Sequence, residues 1–295
     1  MSGVVLLMTL VGNAANVVFD YLFIIHWDWA STGAGVSQAL SQYLMLVVGI
    51  MLASLNIEWK ELPSAARKFW DAGAFKAAFT LNGNIFIRSC ATMLVMTIFT
   101  AVSSAMGTVI LTENALLVQV VLLCVYIFEG IGFATETLGG FFKGQQASER
   151  LLPLLQVTVG SSILVGLIFA FVCVLFPTTV FGLLTNHGEL KQLVQIYVPW
   201  LLSVLGFSSV FLILDGYFAG LAEGKALRNA ALIAAMFGFA PLAGLAWHSH
   251  NNHILWLAMS VWAATRALVL GVQVQKTLKD EPAVVAEQLP DSGIG

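Results

Sequence analysis

The chain has 295 residues, 59% of them hydrophobic and 10% charged, with a formal net charge of −3. An ordinary soluble domain is about one quarter charged, so these proportions exclude a water-soluble core of this size. The mildly acidic balance, with no basic block, gives no sign of a nucleic-acid partner, and none is expected.

The apolar residues fall into eight predicted spans, near 3–25, 34–55, 84–107, 112–139, 153–176, 193–221, 228–247 and 253–275. Each is long enough to cross a hydrocarbon core of roughly 30 Å. Each must be helical, because lipid offers backbone N–H and C=O groups no partners. The fold class is therefore an all-α polytopic membrane protein. The opening MSGVVLLMTL has neither a basic n-region nor a small-residue cleavage site, so it reads as a transmembrane helix that starts abruptly rather than as a signal peptide.

In the first span, GNAANVVFDYLFI sets Asn16 and Asp20 four residues apart on one helix face, with Asn13 one turn before. A carboxylate stacked with amide oxygens suits a proton or a hard cation such as Na⁺. The same residues also suit plain hydrogen bonding between helices. After the second span comes the longest polar connection, residues 56–81. Its Lys60, Arg67, Lys68 and Lys76 interleave with Trp59, Phe69, Trp70, Phe75 and Phe79, as in an amphipathic helix lying in the membrane interface. The chain then divides into a first bundle over 1–56, a cytoplasmic amphipathic linker over 57–81, a second bundle over 82–279 and a disordered tail over 280–295.

The fourth span carries Glu113, Asn114 and Gln119 near its outer end, with Glu129 and Glu136 deeper and seven residues apart, nearly on one face. Acids at such depth are costly and mark function by default, for instance proton exchange with an aqueous cavity. For Glu136 a structural pairing with Lys143 or Arg88 is the competing expectation. The sixth span ends in FLILDGYFAGLAEGKALRNA, where Asp215 precedes Gly216 and Gly220, small residues that permit close helix contact. Arg266, inside AATRALVLG, is expected to snorkel or to pair with an acid. Cys90, Cys124 and Cys173 stand singly in apolar runs and read as packed small hydrophobes. The histidines, including those of HSHNNH at 248–253, map to outer loops, so HSHNNH reads as a solvated loop rather than a metal site.

Loops rich in Lys and Arg stay in the cytoplasm. With the linker inside, Lys143, Arg150, Lys225, Arg228, Lys276 and Lys279 also fall inside and Lys191 outside, which puts both termini in the cytoplasm. The chain contains no Walker A, HExxH, GxSxG or C-x-x-C string, so an enzyme is not expected and transport would draw on an ion gradient.

The strings GNAANVVFDYLFI and TGAGVSQALSQYL resemble the fifth and sixth helices of the MATE multidrug exporters. LNGNIFIRS, YIFEGIGFATETLGGFFKG and LILDGYFAGLAEGKALRNA look like that family's DinF-like branch, and the resemblance covers residues 3–278. It implies helices 5–12 of a twelve-helix, two-lobed fold, with the first four helices absent. It also implies exchange of organic, often cationic compounds for H⁺ or Na⁺ across a plasma membrane. No cofactor is implied beyond the coupling ion, and the partners would be lipid and a small organic substrate, with the full-length protein a monomer. By the same resemblance Asn16 and Asp20 match the cation-site Asn and Asp. Gln38 stands where the family commonly has Thr, and Glu129, Glu136 and Asp215 match acidic positions of the second lobe. A lipid-linked precursor flippase of the same superfamily would need a cavity rich in Arg and Lys, whereas the buried charges here read as mainly acidic. A non-transporting subunit or remnant is the other alternative.

Overall fold

The structure is a computed structural model that describes residues 2–56, 72–184 and 195–279, and every regular element among them is helical. Eight of these helical segments are long and apolar enough to cross a membrane: Leu7–His26, Ala30–Leu52, Phe79–Ala105, Thr108–Gly144, Ser148–Leu175, Trp200–Gly220, Gly224–Ser249 and Asn252–Leu278. Each matches an expected span, and they differ from expectation mainly at their ends, where apolarity fades gradually but hydrogen bonding stops at a definite residue. Most of the expected linker, residues 57–71, lies outside the described residues, as do residues 280–295, expected as a tail, and residues 185–194, where His187 and Lys191 were expected in an outer loop. Two compact units, Met1–Phe75 and Lys76–Gly295, divide the chain.

The first unit is a helical hairpin. α1 (Ser2–Asp20) passes directly into a π-helical turn, Tyr21–His26, and α2 (Ala30–Asn56) returns alongside it. The reversal is tight. Asp28 and Ala30 adopt left-handed backbone at φ 54° and 45°, and Trp29 donates its backbone N–H to the Phe23 carbonyl at 2.9 Å. Gly33 is needed there, because a Cβ would stand 3.1 Å from the Phe23 backbone. Phe23 stacks with Phe19 and Trp29, which pins the turn.

The second unit holds six spans. α3 (Ala72–Ala105) and α4 (Thr108–Gly144) meet at Gly107, whose φ of 116° suits only glycine. Next come α5 (Leu151–Leu175), the short α6 (Pro177–Leu184) and α7 (Trp200–Gly220). The seventh span is broken into α8 (Gly224–Ile233), a π-helical turn Ala234–Phe239 and α9 (Ala240–Ser249), and α10 (Asn252–Lys279) closes the unit.

α7 is the axis of this unit, and its glycines explain why. A Cβ on Gly216 would collide with the backbone of Gly132, and one on Gly220 with the backbone of Glu136, so α7 and α4 touch main chain to main chain. In a bilayer, where lipid tails are as apolar as leucine, such close contact is a main source of helix affinity. α7 packs on α5, α10 and α4, with Leu201, Leu205, Ile213 and Tyr217 fully buried. The opposite pattern holds on α5, whose Val157, Leu164, Ile168 and Leu175 are exposed, as lipid-facing residues should be. Hydroxyls within the spans donate back to carbonyls four residues earlier, as Thr97 does to Met93 and Ser103 to Phe99, so these hydroxyls do not meet lipid bare.

Candidate functional site

Within the second unit, α3, α4, α7 and α10 surround a cavity of about 480 Å³. Its walls are largely apolar and soft, with Met93, Met96, Phe133, Phe211, Met259 and Trp262 facing the space. Five charged side chains line it as well: Arg88 on α3, Glu129 and Glu136 on α4, Asp215 on α7 and Arg266 on α10.

Asp215 is the junction of this wall. Arg266 donates from Nη2 to Asp215 Oδ2 at 2.6 Å, and Arg88 donates from Nη1 to the same oxygen at 3.3 Å. Arg266 is further fixed by a bond from Nη1 to Thr92 Oγ1 at 3.0 Å and by its position 4.7 Å above the Phe211 ring. Thr92 in turn donates to the Arg88 carbonyl at 3.1 Å, which ties the two arginines to one turn of α3. Two buried atoms in this knot make no hydrogen bond among the described residues, Asp215 Oδ1 and Arg266 Nε.

Several expectations are corrected here. Among the described residues Glu136 pairs with neither Arg88 nor Lys143, because Arg88 turns to Asp215 and Lys143 donates instead to the Leu221 carbonyl at 2.8 Å. Asp215, for which no partner was expected by name, is shared by two guanidinium groups. Of the two readings open for Arg266, pairing is the one realised. The cavity charges are also mixed rather than mainly acidic, three carboxylates facing two guanidinium groups. Sequence spacing could not reveal this, because Arg88, Asp215 and Arg266 are separated by 127 and 51 residues.

In the first unit, Asn16 donates from Nδ2 to Ser37 Oγ at 3.1 Å and lies 3.3 Å from Ser41 Oγ. Ser37 donates to the Asn16 carbonyl at 3.2 Å. Asn16 is thus joined to α2 through serines. Gln38 is exposed. Asp20 is half-buried at the junction of α1 with the π-helical turn, and among the described residues it has no hydrogen bond or ion pair. Ser37 is the residue just before Gln38, and neither its bond to Asn16 nor that of Ser41 was expected from the sequence. Their signal was present in SQALSQYL, where Ser37 and Ser41 stand four residues apart.

A third polar cluster lies at the far end of the second unit. Asn114 and Asn252 donate to each other's side-chain carbonyls at 2.8 and 2.9 Å, Asn114 also donates to Ser103 Oγ at 2.8 Å, and Trp256 Nε1 donates to Asn114 Oδ1 at 2.9 Å. Asn252 belongs to the HSHNNH string expected to be a solvated loop, yet it is buried at the start of α10. His253 accepts a bond from Trp200 Nε1 at 3.1 Å. Among the described residues no three of His, Cys, Asp and Glu converge as metal ligands.

Comparison with known proteins adds to this geometry. The MatE family model matches residues 85–243, more than half of the chain. DNA damage-inducible protein F of Escherichia coli is 28% identical over 267 residues, covering 90% of this chain and 57% of that protein. Protein DETOXIFICATION 43 of Arabidopsis thaliana is 23% identical over 266 residues, covering 89% of this chain and 49% of that one. The chain thus spans about half the length of the curated relatives it matches. Among solved structures, the Vibrio cholerae MATE transporter VcmN in its bent form superposes with a TM-score of 0.74 at 16% identity, over 92% of this chain and 61% of that chain. A MOP superfamily transporter from Pyrococcus furiosus, described as having a binding pocket of reversed polarity, gives 0.71 at 18% identity, over 92% and 62%.

Proposed function

The chain belongs to the MATE family, and on that premise we propose that it works as a secondary active exporter, exchanging H⁺ or Na⁺ for organic, often cationic or amphipathic compounds. One observation carries this reading: ionisable side chains line a largely apolar cavity at a depth where lipid alone would penalise them heavily. Such a wall suits a drug-sized ligand, for which sites are typically about 300–1,000 Å³, mostly apolar, with few polar groups.

In this reading Asp20 takes up the coupling ion. It holds a carboxylate free of partners among the described residues, beside an Asn16 already anchored by Ser37 and Ser41. Gln38 stands one residue beyond Ser37 and would supply a further oxygen as the site closes. Glu129 and Glu136 face the cavity without ion pairs among the described residues and would meet the cationic part of a substrate. Occupancy by ion and by substrate would bias alternating access, each by its differential affinity for the two states. The basic residues support an orientation with both termini cytoplasmic, in a plasma membrane.

The test is efflux of a fluorescent cation from cells expressing the protein, driven by an imposed Na⁺ or proton gradient. Asp20→Asn is expected to abolish gradient-driven efflux while the protein still inserts at wild-type levels. Unchanged efflux would defeat the assignment of the coupling site.

A further inference from the structure

The charges on the cavity wall do not balance locally, and the imbalance identifies the group that meets the ligand. Asp215 carries one negative charge, and both guanidinium groups use the same oxygen of it. Arg266 has the shorter contact, 2.6 Å, with its side chain only 3% exposed, and it is also bonded to Thr92 and stacked on Phe211. Arg88 has the longer contact, 3.3 Å, makes that one side-chain hydrogen bond and leaves 27% of its side chain exposed. The pair Arg266–Asp215 is therefore the closed unit, and Arg88 is left with a charge that Asp215 only partly offsets and with other N–H donors that make no bond among the described residues.

The same wall places negative charge to either side. α4 and α7 touch at Gly132 and Gly216, next to Asp215, so Glu129 and Glu136 lie three residues before and four residues after that level. This corresponds to roughly 4–6 Å along the helix axis in each direction. The Arg88 guanidinium thus sits at the level between two carboxylates, in a wall that also carries Phe211, Trp262, Met93 and Met96.

We infer that Arg88 is a specificity-determining residue of this cavity, and that the favoured ligand is zwitterionic: an apolar, ring-containing body bearing an anionic group for Arg88 and, a few ångströms away, a basic group for Glu129 or Glu136. The anionic group takes over the donors that Arg88 only loosely commits to Asp215. Arg266 and Asp215 are positioning residues, the first holding the carboxylate and the second holding Arg88 at the wall. This inference deepens the exporter reading and rests on it, because it assumes that the cavity takes organic compounds.

A matched pair of dyes separates the two ideas: a rhodamine with a free carboxylate, which is zwitterionic, and its methyl ester, which is a cation with the same ring system. Binding of each to the purified full chain in nanodiscs is followed by fluorescence polarisation. A charge-assisted hydrogen bond of about 1.5–3 kcal/mol corresponds to roughly ten- to hundredfold in affinity. The free acid should bind about tenfold or more tighter than its ester, and Arg88→Gln should bring the two to within about twofold by weakening the acid alone. Arg88→Lys should keep part of the preference. Because Arg88→Gln could unsettle Asp215, its thermal unfolding is measured alongside and should stay near wild type, since Arg266 keeps the shorter 2.6 Å contact to Asp215; a large drop in melting temperature would overturn the assignment of Arg88 to specificity. If wild type binds ester and acid equally, or Arg88→Gln keeps the preference, the inference is overturned while the exporter reading stands. If neither dye binds, both fall.

Discussion

Two aspartates in membrane-spanning helices, one in each unit, occupy opposite environments. Asp215 is buried against two guanidinium groups and sits on the helix around which its unit is packed. Asp20 is half-buried at the point where α1 changes into a π-helical turn, with no bonded partner among the described residues. The residue type is the same and so is the cost of placing it in a lipid environment, yet the physical consequences differ. A carboxylate engaged by two cations holds structure, and releasing it leaves charges stranded. A carboxylate without partners holds nothing, and under the proposed exporter function it is the one assigned the coupling ion.

The comparison breaks most visibly at Asp215. Replacing it with Ala leaves Arg266 buried and unpaired, a change that typically costs about 3–5 kcal/mol. Thermal unfolding in detergent should therefore show a large drop, and a wild-type melting temperature would contradict the structural role of Asp215. Next in size is the backbone contact that positions α7. Gly216→Ala or Gly220→Ala drives a Cβ into the α4 main chain and should cost about 1–3 kcal/mol, as overpacking does. Gly160 and Gly206, whose Cβ positions are open, serve as controls that should tolerate Ala. A comparable loss of about 1–3 kcal/mol is expected from Asn114→Ala, which strands Asn252 and Trp256 at once. The smallest effect belongs to Asp20→Asn, which should shift stability by no more than about 0.5 kcal/mol because no contact is lost.

The architecture was largely legible in the sequence, for a physical reason. Lipid enforces helices and a minimum length, so runs of apolar residues locate eight spans with little ambiguity. Gly216 and Gly220 likewise announced a close helix contact, because only small residues let backbones meet in a bilayer. The site was legible only in part. Asn16, Asp20, Glu129, Glu136 and Asp215 could be picked out as costly residues, but their partners could not. The guanidinium groups beside Asp215 come from α3 and α10, and nothing in a local spacing rule links Arg88 to a residue 127 positions away. Glu136 shows the same limit from the other side. Lys143 follows it by seven residues on the same helix, yet that side chain caps the end of α7 at the Leu221 carbonyl instead. Asn252 was hidden by its company, since five polar neighbours in HSHNNH suggest water while the fold buries that one amide.

The contrast between the two aspartates is tested most directly by the cation dependence of thermal stability, measured in parallel for wild type, Asp20→Asn and Asp215→Asn. An ion that binds the folded state and not the unfolded one raises the melting temperature progressively as its concentration exceeds its Kd. Titrating Na⁺ at fixed pH, and acid at fixed Na⁺, should stabilise wild type for whichever ion is coupled. Asp215→Asn should start from a lower baseline and keep that response, and Asp20→Asn should start near wild type and lose it. A response that survives in Asp20→Asn, or that disappears in Asp215→Asn, would contradict the division of labour between the two carboxylates.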